Sequence, residues 1–272
     1  LSFRMASPNW YDQLGYTKKA RPICISIMEK TSKHEEIAAG LIQDILTGRY
    51  RVGERLPSER DLATRFDANR GSVREAMKKL EQIGLAAVQP GGARVRNKEE
   101  ASLEVIGHLL AQDNLPDESL VDQILVVMSG LIAIAAFLVT TQGSKETINE
   151  LRQLVRPLKN KKLNRERHTV ARLELISRFV QASGNLPLQI IGRALFQEMA
   201  PNLSKLLPHV KVDPKAYGPI AEQLDIGLES RNTDAVTAAF KQLYEINKDN
   251  MMNAFSEARL QIQNETKEAL IK

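Results

Sequence analysis

A single cysteine, Cys24, leaves the 272-residue chain unable to build an internal disulfide or a cysteine-rich zinc cluster, so a reducing cytoplasm is the compartment it implies. Aromatic residues are only 5% of the chain, too few of the strand-favouring Phe, Tyr and Trp for an extensive sheet, and the composition leans towards helix. The four histidines, His34, His108, His168 and His209, stand far apart with no His-x-x-x-His or His-Glu-x-x-His spacing, which removes a local metal motif. There is no G-x-S-x-G, no phosphate-binding G-x-x-x-x-G-K-[ST] and no glycine-rich dinucleotide turn, so an enzyme has no recognisable catalytic set. The first residues lack the apolar core of a signal peptide: Trp10 and Tyr11 precede a basic KKAR, and ICISIM is too short. Residues 1–30 are expected to be an extension, with Met28 just before the first clear helix signal.

What remains is an ordinary globular balance, 43% apolar and 26% charged, with a net charge of +5. The excess is concentrated: residues 31–98 hold thirteen Lys or Arg against nine Asp or Glu, a distribution compatible with a polyanionic partner. The longest uncharged stretch, Gln123 to Ser144, nearly reaches the length of a membrane span. Ser129, Gly130 and the polar TTQGS at its end favour the central helix of a soluble bundle, so no membrane partner is expected.

In the basic quarter, Ser32-Lys-His-Glu35 has the form of a capping box, and Ile37, Leu41, Ile45 and Leu46 predict one apolar face up to Gly48. Pro57 and Ser58 followed by Asp61 signal a short second helix with Leu62, Ala63 and Phe66 inward. After the break at Asp67 and Ala68, Asn69 suits the N-cap of a third, with Val73, Met77 and Leu80 as its stripe. The opposite face of that helix carries Arg70, Arg74 and Lys78, while Gly71 and Ser72 near its start permit close backbone approach. LAAVQ and ARVRN then predict two short strands about Pro90-Gly91-Gly92, a hairpin placed where a winged helix-turn-helix needs its wing.

The run LPSERDLATRFDANRGSVREAMKKLEQIGLAAVQPGGARV closely resembles the DNA-binding signature of the GntR family of bacterial transcription regulators, from Ser32 to about Arg96. The resemblance implies a regulator, taken as a repressor, that binds double-stranded operator DNA. It implies that Arg60, Arg70 and Arg74 touch phosphates and guanines, that Ser72 donates to a phosphate, and that Gly91 approaches the minor groove. Asn69 stands where relatives often carry Ser or Thr, which alters the contact at that position; Pro90 and Gly92 leave the wing little with which to read bases.

Beyond residue 98 the pattern is helical throughout, with apolar-periodic segments at 102–112, 118–141, 145–157, 168–183, 186–206, 216–230, 233–256 and 257–271. The predicted fold is therefore mainly α: a winged helix-turn-helix over 31–98 and an all-α helical bundle over 99–272. The bundle and the QASGN at 181–185 resemble the FadR-type, or FCD, branch of the family. That resemblance implies a homodimer whose bundles each enclose a small-molecule site. Many members hold a divalent metal there, but the matching positions here are Arg172, Ile176, Gln223 and about Glu245, so no metal cofactor is expected. His168 and His209 are assigned to surface or loop, and His34 and His108 to solvated helix positions. With neither histidine nor arginine expected at the bundle centre, the effector is expected to be apolar, a fatty acid or acyl-CoA, against Met128, Ile132, Ile176 and Gln223. A solid core with ligand-independent DNA binding, and a metal-dependent carboxylate sensor, stand as alternatives. The basic run at 156–167 is assigned to a solvated loop, with ligand phosphates or flanking DNA as its other possible partners.

Overall fold

The computed structural model describes residues 32–271, so the extension expected over 1–30, and Cys24 with it, lies outside the described residues. These residues form two compact units, the first ending at Pro116 and the second beginning at Asp117.

The first unit opens with α1 (Lys33–Leu46), whose capping box is formed: the Ser32 amide donates to the Glu35 carboxylate at 2.9 Å. Helix α2 (Glu59–Arg65) starts on Ser58, whose hydroxyl accepts from the Asp61 amide, and α3 (Arg70–Gln82) starts on Asn69, whose side-chain oxygen accepts from the Ser72 amide at 2.8 Å. Each cap satisfies a first-turn amide that has no partner within its own helix. Between α2 and α3, Asp67 takes a positive φ of 46°, which turns the chain sharply. Ile37 and Leu41 of α1, Leu62 of α2, and Val73, Ala76 and Leu80 of α3 meet in one core.

Strands β1 (Ala86–Gln89) and β2 (Gly92–Val95) pair antiparallel with Gln89 opposite Gly92, leaving Pro90 and Gly91 as the turn. Strand β2 has a second partner that sequence periodicity does not reveal. The Gly53 and Leu56 amides donate to the Val95 and Ala93 carbonyls at 2.8 and 2.9 Å, and Arg55 bridges Arg94. The wing is thereby tied to the loop ahead of α2 and does not stand as a lone hairpin, which alone is only marginally stable.

Helix α4 (Glu104–Leu110) belongs to this first core. Val105 is buried in it, Ser102 donates to the Ile83 carbonyl at 2.8 Å, and Glu104 pairs with Lys79 at 2.8 Å. The sequence boundary at 98 assigned this helix to the bundle; a seven-residue amphipathic helix shows which face is apolar but not which core that face joins.

Among its described residues the second unit is a bundle of six helices: α5 (Glu118–Gln142), α6 (Lys145–Val155), α7 (Arg165–Ala182), α8 (Leu186–Met199), α9 (Pro214–Glu229) and α10 (Thr233–Ile271). Its core joins Ala136 and Val139 of α5, Leu151 of α6, Phe179 of α7, Tyr217 and Leu224 of α9, and Val236 and Phe240 of α10. The Phe179 and Phe240 rings meet edge to face at 4.7 Å. Two segments differ from the periodic reading. With no Gly or Pro after Thr233, α10 runs unbroken where two helices were expected; α8 stops at Met199, because Pro201 has no amide to continue it and short 3-10 turns follow.

Helix α5 is the one described helix long and apolar enough to cross a membrane. Only part of it is covered within the chain: Val121, Ile124, Ala135, Ala136 and Val139 are buried, while Val126, Val127, Ile134 and Phe137 are each at least half exposed. The expectation of a buried central helix is therefore corrected, since one side of α5 is left exposed by the other helices of the second unit.

Candidate functional site

The N-terminal half of α3 carries four of the residues expected to bind DNA, Arg70, Gly71, Ser72 and Arg74, with Asn69 capping it. Arg70, Gly71 and Arg74 are exposed and Ser72 is half-buried. Asn69 is committed to the Ser72 amide through its oxygen, which leaves its amide nitrogen for a further partner. The Arg74 Nε lies 3.0 Å from both Glu59 oxygens, and this hydrogen bond with Glu59's charge raises the guanidinium's pKa further. Lys78 pairs with Glu75 at 2.8 Å, whereas Arg70 has no ion pair among the described residues. On α2, Arg60 is exposed and only loosely paired with Asp61, at 3.9 Å. Behind this surface, Asp44 of α1 accepts from Arg65 of α2 at 2.5 Å and from Arg49 at 3.2 Å, tying α2 to α1.

Gly91 sits at the exposed wing turn with φ of +100° and open space around it, so backbone conformation, not crowding, requires glycine there. Gly92 is restricted twice: its φ is +124°, and a Cβ would come within 2.6 Å of the Arg55 guanidinium.

In the helical unit the expected pocket residues lie on three helices, Met128 and Ile132 on α5, Ile176 on α7 and Gln223 on α9. Ile132 and Ile176 pack against the bundle core, Met128 is half-buried on α5, and the Gln223 oxygen accepts from Gln242 at 3.1 Å in an exposed pair. A different set converges inside. His168 is fully buried, contrary to its assignment to the surface, and neither ring nitrogen has a hydrogen-bond partner in the described protein. Helix α7 begins at Arg165, capped by Asn164, so His168 lies on its first turn and shares a face with Arg172, Leu175 and Phe179. Burial, together with the Arg172 charge, pushes the His168 imidazole down to about 4. Its ring meets Tyr217 edge-on at 4.6 Å, and the Arg172 guanidinium lies 4.7 Å from the centre of the same Tyr217 ring. Arg172 donates to the Tyr217 hydroxyl at 3.1 Å, to Asn247 and to Thr169; Tyr217 donates to Asn247 at 2.9 Å and accepts from Asn250 at 3.1 Å. Burial raises the Tyr217 phenol, which stays protonated. The bundle interior thus holds both the histidine and the arginine it was expected to lack.

Residues 33–95 match the family model described as bacterial regulatory proteins, gntR family. The transcriptional regulator Mce2R of Mycobacterium tuberculosis is 30% identical over 181 residues, covering 65% of this chain and 74% of that protein. This chain belongs to the GntR family. The repressor NanR of Edwardsiella tarda is 35% identical over 104 residues, 38% of each chain. A solved structure, the Streptococcus agalactiae GntR, is 21% identical, covers 83% of this chain and 99% of its own, and has a TM-score of 0.39. As a GntR-family protein it is a DNA-binding transcription regulator, not an enzyme.

Within this GntR regulator, sequence reasoning passed over Glu59 and Arg55, although both stand in the quoted motif or beside it. Glu59 occupies the Arg74 head group, and the Arg55 guanidinium lies against Gly92 beside the wing turn. The signal for Arg55 was the basic run RYRVGER; its pairing with β2 depends on tertiary contact and leaves no periodic trace. The basic run at 156–167 is also more committed than a solvated loop. Lys159 pairs with Asp225 at 2.5 Å and Glu222 at 2.9 Å, and Arg152 joins the same Asp225 at 2.6 Å. Burial pushes the Asp225 carboxyl up, but hydrogen bonds from Arg152 and Lys159 outweigh it and hold the pKa below the ordinary value.

Proposed function

We propose that this regulator is a repressor of the FadR-type, FCD branch, which binds a two-fold operator as a homodimer and responds to a ligand in its helical unit. The observation that carries the DNA-reading assignment is the state of Arg70: exposed in the first turn of α3, with no ion pair among the described residues. A guanidinium so placed suits a bidentate pair with guanine O6 and N7 in the major groove, and the exposed Gly71 beside it lets the backbone approach a phosphate. Arg60 and Arg74 are assigned to phosphates, Ser72 to a phosphate through its hydroxyl, Asn69 to a neighbouring contact, and Gly91 to the wing's approach to the minor groove.

The branch assignment is supported by the turn between α7 and α8. In QASGN, Gly184 takes φ of +64° and the Asn185 side chain accepts from the Leu188 amide at 3.0 Å, so the segment ends one helix and caps the next. A metal-free centre is supported by the donor set: at the positions where relatives hold a cation, Arg172 brings a positive guanidinium and Ile176 no donor at all. Dimerisation is supported by the uncovered apolar side of α5, and a DNA-binding regulator works in the cytoplasm.

The test is selection of a preferred duplex from random DNA by the purified protein, followed by titration of Arg70→Ala. Loss of about 1 to 3 kcal/mol on the selected site with little change on random DNA is expected. Equal losses on both would move Arg70 to a phosphate role.

A further inference from the structure

We propose that Arg55 is the minor-groove reader of the wing, a guanidinium supplied by the loop ahead of α2 that selects A·T pairs beside each half-site. The inference deepens the operator reading and rests on it. The wing turn itself is poor in readers: Pro90 and Gly91 form it, and Gly92 follows with no side chain. Strand β2 offers Arg94, but its Nη1 donates to the Gly53 carbonyl at 2.9 Å, and Gly53 lies beside Val95, at the end of β2 away from the turn.

Arg55 is placed to supply what the turn lacks. The Leu56 amide donates to the Ala93 carbonyl at 2.9 Å and the Val95 amide to the Glu54 carbonyl at 3.0 Å, which pins this segment along β2 with Arg55 opposite Arg94. Leu56 is buried, and side chains alternate along extended backbone, so Arg55 is turned to the solvent face that it shares with Arg94 and Gly92. From there its guanidinium lies over Gly92: a Cβ at that position would stand 2.6 Å from the Arg55 Nε, 3.1 Å from Nη2 and 3.2 Å from Cζ. The head group thus fills the place where any other residue would begin its side chain.

The head group is also uncommitted. Among the described residues it has no ion pair and no side-chain hydrogen bond, and the neighbouring Glu54 carboxylate is taken by the Arg51 amide at 2.8 Å. Its N–H donors therefore lose only water when a base edge arrives, whereas Arg74 must first release Glu59. In the minor groove an A·T pair presents only acceptors, while a G·C pair adds the guanine N2 amino group, a donor that an arginine cannot pair with. A·T runs also narrow the groove and deepen its negative potential, which draws a planar, weakly hydrated guanidinium. A wing docked with Gly91 towards the minor groove carries Arg55 there with it.

Selection from random DNA by the wild-type full chain is expected to return A·T pairs beside each half-site. Those pairs are then replaced by G·C, or by inosine·cytosine, which matches G·C in the major groove and A·T in the minor groove. The G·C duplex is expected to bind about tenfold more weakly and the inosine·cytosine duplex to bind like the A·T one. Arg55→Gln is expected to bind the A·T duplex about tenfold more weakly and to bind all three alike, while the cost of changing a pair read by Arg70 stays as in the wild type. Equal loss on G·C and inosine·cytosine would put the reading in the major groove, and discrimination retained by Arg55→Gln would assign it to another residue. Either result overturns the proposal, and the first needs no variant to fold. Flanks without any base preference overturn it too while leaving the operator reading intact, whereas a wild type that selects no duplex ends both.

Discussion

Arg74 and Glu59 illustrate how a single pair tunes a DNA surface. Their ion pair is exposed, so it adds little to folding, but the phosphate we assign to Arg74 would meet a guanidinium with a carboxylate already bound. DNA must displace that carboxylate. Glu59→Gln keeps the size of the side chain and removes its charge, so DNA binding is expected to tighten while the slope of log affinity against log salt, to which Arg74 contributes about one through its phosphate, stays unchanged. Arg74→Ala should flatten it by a similar amount, and a salt titration of both variants is the check. In the bundle, His168 makes a second residue-scale prediction. Its pKa is about 4 in the fold against about 6.5 in the unfolded chain, so the unfolded state binds more protons between those values. Stability is therefore full above pH 6.5 and falls as pH drops towards 4. Urea titrations at pH 7 and pH 5 should show the wild type losing about 2 kcal/mol more than His168→Gln over that interval. Equal losses would mean that His168 is not held neutral in the fold.

At the scale of elements, helix starts were legible because capping is local chemistry. Ser32 with Glu35, Ser58 with Asp61, and Asn69 with Ser72 all form the bonds their spacing suggests. Ends and allegiances were less so. Helix α3 closes where Gly84 takes φ of +84°, with its amide bonded to the Glu81 carbonyl and the Leu85 amide to the Leu80 carbonyl. A Cβ there would lie 3.1 Å from both the Ala101 Cα and the Glu100 carbonyl oxygen, in the segment leading to α4. Gly84→Ala is thus expected to cost about 1 to 3 kcal/mol by chemical denaturation, from a strained φ and backbone crowding together. A neutral result would mean that the α4 segment yields without cost. The close approach explains why residues up to Pro116 stay with the first unit, and why a pattern that marks only apolar faces set the boundary at 98. His168 escaped for a related reason. Whether a residue on a helix's first turn is buried depends on the helices packed over it, here α9 through Tyr217, and no local signal encodes that.

At the scale of the whole molecule, α5 poses the question that composition could not answer. Its uncharged run nearly reaches the length of a membrane span, Ser129, Gly130 and TTQGS favour a bundle helix, and the fold buries only one side of it. One side closes the bundle against α7, α8 and α10, while Val126, Gly130, Ile134 and Phe137 form a stripe at helical spacing on the other. Such a stripe on a DNA-binding regulator is most economically covered by its own copy, since a two-fold axis places the same apolar side of both protomers together. Charge on the stripe is then the sharpest probe. Phe137→Glu should leave each protomer folded, because that side chain is half exposed and lies outside the core, yet shift the chain from dimer to monomer in sedimentation. A monomer engages one half-site at a time and loses the effective concentration that tethering gives, so affinity for the selected two-fold duplex should fall about 100-fold or more. Affinity for an isolated half-site should not change, because α3 and the wing are untouched. A Phe137→Glu protein that remains dimeric with undiminished operator binding would place the interface elsewhere and leave the apolar side of α5 to another partner.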